Sequence, residues 1–295
     1  MARILCIGDA MVDVVAQIDG AINFGSDTSS RISMHGGGAA SNTACWLGWL
    51  GEDVTFAGRI GDDTAGRVIL EDFHRFEVKY ENLIIPGERS GIVIVLVDKD
   101  GERTMFPDPA ANSGLDLGSI PQLDDFDAIF LSGYSLYNPR STEGVIRIIE
   151  AAHNQKIPIY FDLASVGTME QFGKEKILKH LPLFAGLFMN EAEAHFITGK
   201  SEIDAMINDL SRLTSLVIVK RGARGAIAYS ERSRLIEIAG TPTAVVDTTG
   251  AGDAFAAGFL SIYVTNGDLK GALTRADEVA RKCVGIIGAR PASNP

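Results

Sequence analysis

Asp247-Thr248-Thr249-Gly250-Ala251-Gly252-Asp253-Ala254-Phe255 sets a glycine turn between two carboxylates, and an apolar run, Phe255 to Val264, follows at once. Short polar residues ahead of an apolar run read as the start of a helix. Gly250 and Gly252 let backbone N–H groups crowd together with no Cβ in the way. Unpaired N–H groups at the positive end of a helix dipole make a site for an anion. A phosphate that merely rested there would be repelled by Asp253, so the acid points to proton chemistry beside a phosphate. A capped helix with close-packed glycines would explain Gly-Ala-Gly-Asp alone. Asp247 and the paired threonines ahead of it make that reading insufficient.

Outward from this turn, residues 126 onward alternate between short apolar runs and helical periodicity. The spacing predicts strands at Ala128–Leu131, Ile157–Phe161, Leu187–Met189, Val217–Lys220 and Ala226–Tyr229. It predicts helices at Thr142–Asn154, Lys174–His180, Glu191–Thr198, Ile203–Leu213, Ala254–Thr265 and Leu269–Ile287. The expected fold is α/β in three layers, α/β/α, with a mainly parallel central sheet and helices on both faces. Ligands of such sheets bind beyond the carboxyl ends of the strands. The loops to watch are then Ser132-Gly133-Tyr134, Asp162, Asn190, Lys220-Arg221-Gly222 and Asp247–Asp253.

Asn190 and Glu193 stand three apart at a predicted helix start and share a face. Their oxygens suit Mg2+ held through water, and equally a capping box. Thr198-Gly199-Lys200-Ser201 imitates a phosphate loop, but Ala194 stands where that motif needs glycine and the segment reads as helix. Val217 to Ala226 is strand, glycine turn, strand: a hairpin corner or a platform for a nucleotide.

Toward the amino end, Ile4–Ile7 is a short buried strand ending in Gly8-Asp9. Asp13 interrupts the apolar Met11-Val12-Asp13-Val14-Val15, either facing water or accepting hydrogen bonds from a polyol. Gly36-Gly37-Gly38-Ala39-Ala40-Ser41-Asn42 is expected to be a glycine loop leading into a helix, with Asn42 one turn in. It is not the dinucleotide fingerprint, because Ser41 takes the last glycine position. Asp62-Asp63 ahead of a helix reads as capping. Ser90–Phe106 forms a hairpin around an Asp-x-Asp-Gly turn at Asp98–Gly101. With residues 14–35 it would make a small sheet apart from the main body, a lid that excludes water. Arg103 on this hairpin and Asn112 just beyond it are candidates to reach a substrate.

The chain has 295 residues, 46% of them hydrophobic, which is enough for a sizeable core. Its net charge of −11 argues against nucleic acid or an anionic membrane as partner. Cys6, Cys45 and Cys283 are isolated, which fits a reducing cytoplasm better than a disulfide framework. No apolar run approaches the length needed to span a bilayer.

Together these pieces resemble the ribokinase-like (PfkB) carbohydrate kinase family along the whole chain. Residues 247–255 match its carboxyl-terminal signature, Gly37-Gly38 with Asn42 its Gly-Gly-x-x-x-Asn signature, Asn190 and Glu193 its Asn-x-x-Glu, and Asp13 its substrate aspartate. The resemblance implies one kinase domain over residues 1–295, with lid segments near 14–35 and 90–107. Asp253 would be the general base, taking a proton from a sugar hydroxyl that attacks the γ-phosphate of ATP. The N–H groups of Gly250, Ala251 and Gly252 would hold the developing charge. Asp13, Gly37, Gly38 and Asn42 would bind substrate, with Arg103 and Asn112 in reach. Asn190 and Glu193 would organise Mg2+ through water, and Lys220, Gly222 and Gly225 would lie along the nucleotide. Asp247, with carbonyls near Gly288-Ala289, resembles the K+ loop of part of the family. A helix start should also depress the pKa of Asp253.

Two departures bear on the substrate. Ala39 stands where ribokinase has lysine, and Asp162-Leu163-Ala164-Ser165-Val166 replaces the Asp-x-Asn-x-Arg pattern of many sugar kinases. Ribose, fructose, a keto-deoxy sugar acid and a nucleoside all stay open. A silent sugar-binding regulator on the same fold would be expected to lose Asp253 or the anion turn, and both are present. Exposed lid edges suggest a homodimer through the lid.

Overall fold

Leu5, Cys6 and Ile7 are fully buried, as are Val217, Ile218 and Val219. Strands with no exposed face must lie in a sheet covered on both sides. The computed structural model, which describes residues 2–81, 83–99 and 103–292, has that arrangement. In chain order its strands are β1 (Arg3–Ile7), β2 (Met11–Ile18), β3 (Ser30–Gly37), β4 (Asp53–Ala57), β5 (Ile60–Gly61), β6 (Lys79–Tyr80), β7 (Ile84–Ile85), β8 (Gly91–Val97), β9 (Arg103–Asp108), β10 (Ala128–Ser132), β11 (Ile159–Asp162), β12 (Gly186–Asn190), β13 (Leu216–Lys220), β14 (Ala226–Ser230) and β15 (Arg234–Ile238). The α-helices are α1 (Ala39–Trp49), α2 (Thr64–Arg75), α3 (Gly133–Tyr137), α4 (Thr142–Asn154), α5 (Val166–Phe172), α6 (Lys174–His180), α7 (Glu191–Thr198), α8 (Ile203–Leu210), α9 (Ala251–Asn266) and α10 (Leu269–Val284).

The central sheet has nine strands in the order β15-β14-β13-β12-β11-β10-β1-β4-β6. It is parallel from β13 to β6, and β14 and β15 add an antiparallel edge. Successive residues of β1 feed opposite cores. Ile4 and Cys6 pack with Trp46 of α1, Phe73 of α2, Phe259 of α9 and Leu273 of α10. Leu5 and Ile7 pack with Ile148 of α4, Met169 of α5 and Leu210 of α8. The expected three-layer sandwich is therefore present. A separate four-stranded sheet, β3-β2-β8-β9, joins the two amino-terminal segments to the Ser90–Phe106 hairpin. The expected turn of that hairpin falls partly on Asp100 and Gly101, outside the described residues.

Several boundaries shift for physical reasons. Gly36 and Gly37 belong to strand β3, and Gly38 alone makes the turn into α1. Helix α9 begins at Ala251 rather than Ala254, because Gly250 takes a left-handed cap at φ 75. Helix α10 stops at Val284 rather than Ile287, where the Val284 carbonyl accepts the N–H groups of Val246 and Asp247. Helix α8 ends at Leu210, short of Leu213. Asp63 caps α2 as expected, accepting from the Gly66 N–H. Gly199 is the left-handed end of α7, so Thr198–Ser201 is a helix stop and not a phosphate loop. Among the described residues no helix is long and apolar enough to cross a membrane.

Candidate active site

Parallel register brings strand ends level. Ser132 of β10 stands beside Asp162 of β11, and Asn190 of β12 beside Lys220 of β13. The start of α9 meets this edge. Gly250 is required there twice over, since a Cβ would lie 2.5 Å from the Cβ of Ala289 and its φ is positive. The Ala251 N–H turns back to the Thr248 carbonyl at 3.3 Å, a long and weak bond.

Asp253 is the third residue of α9, and its Oδ2 accepts from Asn42 Nδ2 of α1 at 2.9 Å. The other end of that amide is held by Arg290, whose Nε donates to Asn42 Oδ1 at 3.1 Å. Arg290 is buried and also donates to Gly37 O, Ser41 Oγ and Asp72 Oδ2. This network settles which way the Asn42 amide faces. The expectation of a depressed Asp253 is corrected here. Burial pushes its carboxyl up most, and Asp162 and Asp9 add to that; the Asn42 hydrogen bond and the Lys220 ammonium pull the other way. The net result is a carboxyl pushed up to about 8. A helix dipole loses to desolvation among like charges.

Asp13 of β2 comes close to Gly37 of the adjoining β3; a Cβ at Gly37 would lie 2.3 Å from Asp13 Oδ1. Burial raises the Asp13 carboxyl to about 6 against the pull of Arg290. Asp9 presents Oδ2 to the Ala39 N–H at 2.9 Å, while its buried Oδ1 has no partner among the described residues. Asn112 is a correction. Its Oδ1 accepts the Ala10 N–H at 2.8 Å, and its Nδ2 donates to the carbonyls of Ala10 and Pro109. Both Nδ2 hydrogens and one Oδ1 lone pair are thus used in fixing the segment between Asp9 and Asp13, which gives the amide a backbone-holding role. Arg103 leaves the small sheet to meet Asp247 Oδ1 at 2.6 Å and Thr248 Oγ1 at 2.7 Å.

On the other side of the turn, Lys220 Nζ is 2.8 Å from Asp162 Oδ2. A Cβ at Gly252 would lie 3.1 Å from that ammonium, so Lys220 stands beside the anion turn itself. Asn190 and Glu193 form a reciprocal capping box that engages both carboxylate oxygens of the buried Glu193. Gly222 faces open space, whereas Gly225 lies against the backbone of Ile238 and Gly240 and serves to close the hairpin. Among the described residues no three His, Cys, Asp or Glu side chains converge to ligate a metal. A cavity of about 280 Å3 lies between the small sheet and the loops before α9. Asp13, His35, Arg103, Asp247 and Thr249 line it, while Asp253 does not.

The family model described as "pfkB family carbohydrate kinase" matches residues 1–295. The chain belongs to the pfkB family of carbohydrate kinases. An uncharacterized sugar kinase of Archaeoglobus fulgidus is 30% identical over 247 residues, covering 83% of this chain and 96% of that protein. An ATP-dependent ribose-1-phosphate kinase of Halopiger xanaduensis is 28% identical, covering 99% and 95%. Among solved structures, adenosine kinase from Sinorhizobium meliloti superposes with a TM-score of 0.90 at 23% identity, covering 99% of this chain and 97% of that one.

As a pfkB kinase the chain is an ATP-using phosphotransferase with a carbohydrate alcohol as acceptor. Of the residues expected from its signatures, the structure joins Asn42 to Asp253 directly and sets Gly37 against Asp13. It turns Asn112 to holding the backbone at Ala10 and Gly225 to packing. Sequence reasoning missed Arg290 and Asp72, noted Asp9 only as the end of a buried strand, and placed Asp162 among the loops to watch without giving its side chain a role. A lone arginine in Gly288-Ala289-Arg290-Pro291 carries no periodic signal. The unpaired acid in Gly8-Asp9, at the end of a buried strand, was the one hint available.

Proposed function

We propose that the protein transfers the γ-phosphate of ATP to a hydroxyl of a small sugar, ribose or fructose or a near relative, with Asp253 as base. The observation that carries this is the Asp253 carboxylate, held by Asn42 in the first turn of α9 and flanked by the Lys220 ammonium. The hydroxyl is gripped by Asp13 and by the remaining N–H of the Asn42 amide. Asp253 accepts its proton. First-turn N–H groups at Gly250, Ala251 and Gly252, with Lys220, hold the charge on the transferring phosphoryl group. Phosphoryl transfer asks for little more than positioning and such charge stabilisation.

Mg2+ fits the charge balance of the site. Asp9, Asp162, Glu193 and Asp253 outnumber the nearby Lys220, and burial with mutual repulsion pushes Glu193 and Asp253 upward. With both Glu193 oxygens in the capping box, Asn190 and Glu193 would hold the ion through ordered water rather than directly. When bound, it would supply neutralisation of the phosphate charge.

Val15, Val95, Val97, Val246 and Ile287 give the cavity an apolar wall. A nucleoside, with a flat base on its sugar, is therefore the second reading. We also assign a lid role to the small sheet, a homodimer through its outer face, and a cytoplasmic setting that suits three buried free thiols.

The test is ADP release across a panel of sugars and nucleosides, with ATP binding measured in parallel. Asp253→Asn should lower turnover roughly 10²–10⁴-fold, the usual worth of a positioned base, and keep ATP binding. Absence of turnover on every panel member, or an unimpaired Asp253→Asn enzyme, would remove the proposal.

A further inference from the structure

We propose that Arg103 is the resident cation of the loop ahead of the anion turn, so that this kinase needs no monovalent metal ion there. The inference rests on the kinase reading above but concerns a different element of the site. A K+ ion needs a negative charge to offset and several oxygens with lone pairs to spare; the carboxylate of this loop is already paired with a cation, and several of its carbonyls already accept a donor. Asp247 Oδ1 accepts the Thr249 N–H at 2.7 Å as well as Arg103, and Oδ2 accepts the Gly288 N–H at 3.0 Å. The Ala289 carbonyl takes the Trp46 indole N–H at 2.9 Å, and the Thr249 carbonyl takes the Cys283 thiol at 3.3 Å. The Val284 carbonyl accepts two backbone N–H groups, from Val246 and Asp247. Where an ion would contribute charge, a guanidinium already lies on the carboxylate.

The pair is well shielded, with side-chain exposures of 23% for Arg103 and 13% for Asp247. A guanidinium keeps its charge at any working pH, and its fork reaches Asp247 and Thr248 together. Those two residues lead directly into Gly250. Arg103 is thus a positioning residue that sets the anion turn through Asp247 and Thr248. It is also the first residue of β9, so the positive charge arrives with the lid. A bound metal ion would sit in the loop whether the lid was open or closed. Here the turn reaches its full electrostatic form only when β9 lies over it.

The experiment compares ADP release in tetramethylammonium and K+ salts at equal ionic strength, for the full chain and for Arg103→Met and Arg103→Lys. The natural protein should turn over equally in both salts. Arg103→Met should lose about tenfold or more in kcat, short of the 10²–10³ typical of a removed donor, and recover part of it in K+. Arg103→Lys should retain most activity. A second readout needs no turnover: K+ should leave the unfolding temperature of the natural protein unmoved and raise that of Arg103→Met. Activation of the natural protein by K+, or a rise in its unfolding temperature with K+, overturns the inference and leaves the kinase reading standing. Failure of every sugar and nucleoside, with unfolding insensitive to K+, removes the kinase reading instead and leaves the cation assignment intact.

Discussion

Asp253 stands where two fields oppose each other. The start of α9 favours its anion, while burial beside Asp162 and Asp9 favours the acid, and the carboxyl comes out near 8. A base works only when ionised, so kcat/KM should rise with pH through an apparent pKa of about 8. That limb should vanish in Asp253→Asn. The same shift has a stability consequence of opposite sense. With its folded pKa raised above the unfolded value, the carboxyl favours folding fully below the unfolded pKa of about 3.9, and that contribution is lost as pH rises toward 8. Thermal melts should therefore find Asp253→Asn more stable than the natural protein at pH 8, with the gap closing in acid. A substitution that weakens catalysis while raising stability is what a strained functional carboxylate leads one to expect. Asp13, Asn42 and Asp253 could each be picked from the sequence, because each sits in a short pattern with its own chemistry. Arg290 could not. Its partners Asn42, Asp72 and Gly37 lie 248, 218 and 253 positions away, and only the folded chain brings them together.

At the scale of the element, β2 and β3 carry the substrate side of the site as one paired unit. Gly37 is open so that the Asp13 carboxylate can lie against it. Gly37→Ala leaves a strand that still pairs but drives a Cβ into that carboxylate. Overpacking of this kind costs about 1–3 kcal/mol, so the KM for sugar should rise roughly tenfold or more with little change in the KM for ATP. An unchanged KM for sugar in initial-rate kinetics would remove Asp13 from the substrate site. The parallel strands of the body were legible because burial on both faces leaves continuous apolar runs. Strand β3 was legible only as part of a small sheet over residues 14–35, without its own bounds, since residues 20–35 look poor in apolar groups and Ile32 and Met34 point outward. The Asn190–Glu193 box shows a different limit. Capping and metal organisation ask for the same two residues, and the choice between them depends on Glu193 being buried with both oxygens engaged.

For the whole molecule, the small sheet presents an apolar row to solvent. Met34 pairs with Val14, Val14 with Ile94 and Ile94 with Phe106, and Met34, Ile94 and Phe106 are each about half exposed. A row that crosses all four strands fits a second copy of itself. Light scattering should give twice the chain mass, and Phe106→Asp with Met34→Asp should give the single-chain mass without lowering the unfolding temperature of the body. A monomeric natural protein would contradict the lid dimer. Motif order along the chain made the architecture legible, and the glycine turn after β13 gave the hairpin to β14; the edge strand β15 and the register of the small sheet were not legible, because pairing partners leave no mark in a single strand. The closing loop carries one more consequence. Ala289 holds the Trp46 indole and presses on Gly250, and Arg290 orients Asn42. During synthesis the first glycine turn leaves the ribosome long before residue 290 does. The site is thus finished only once Arg290 has reached Asn42, and a proteolytic cut in this loop should lower turnover, which ADP release before and after cleavage would measure.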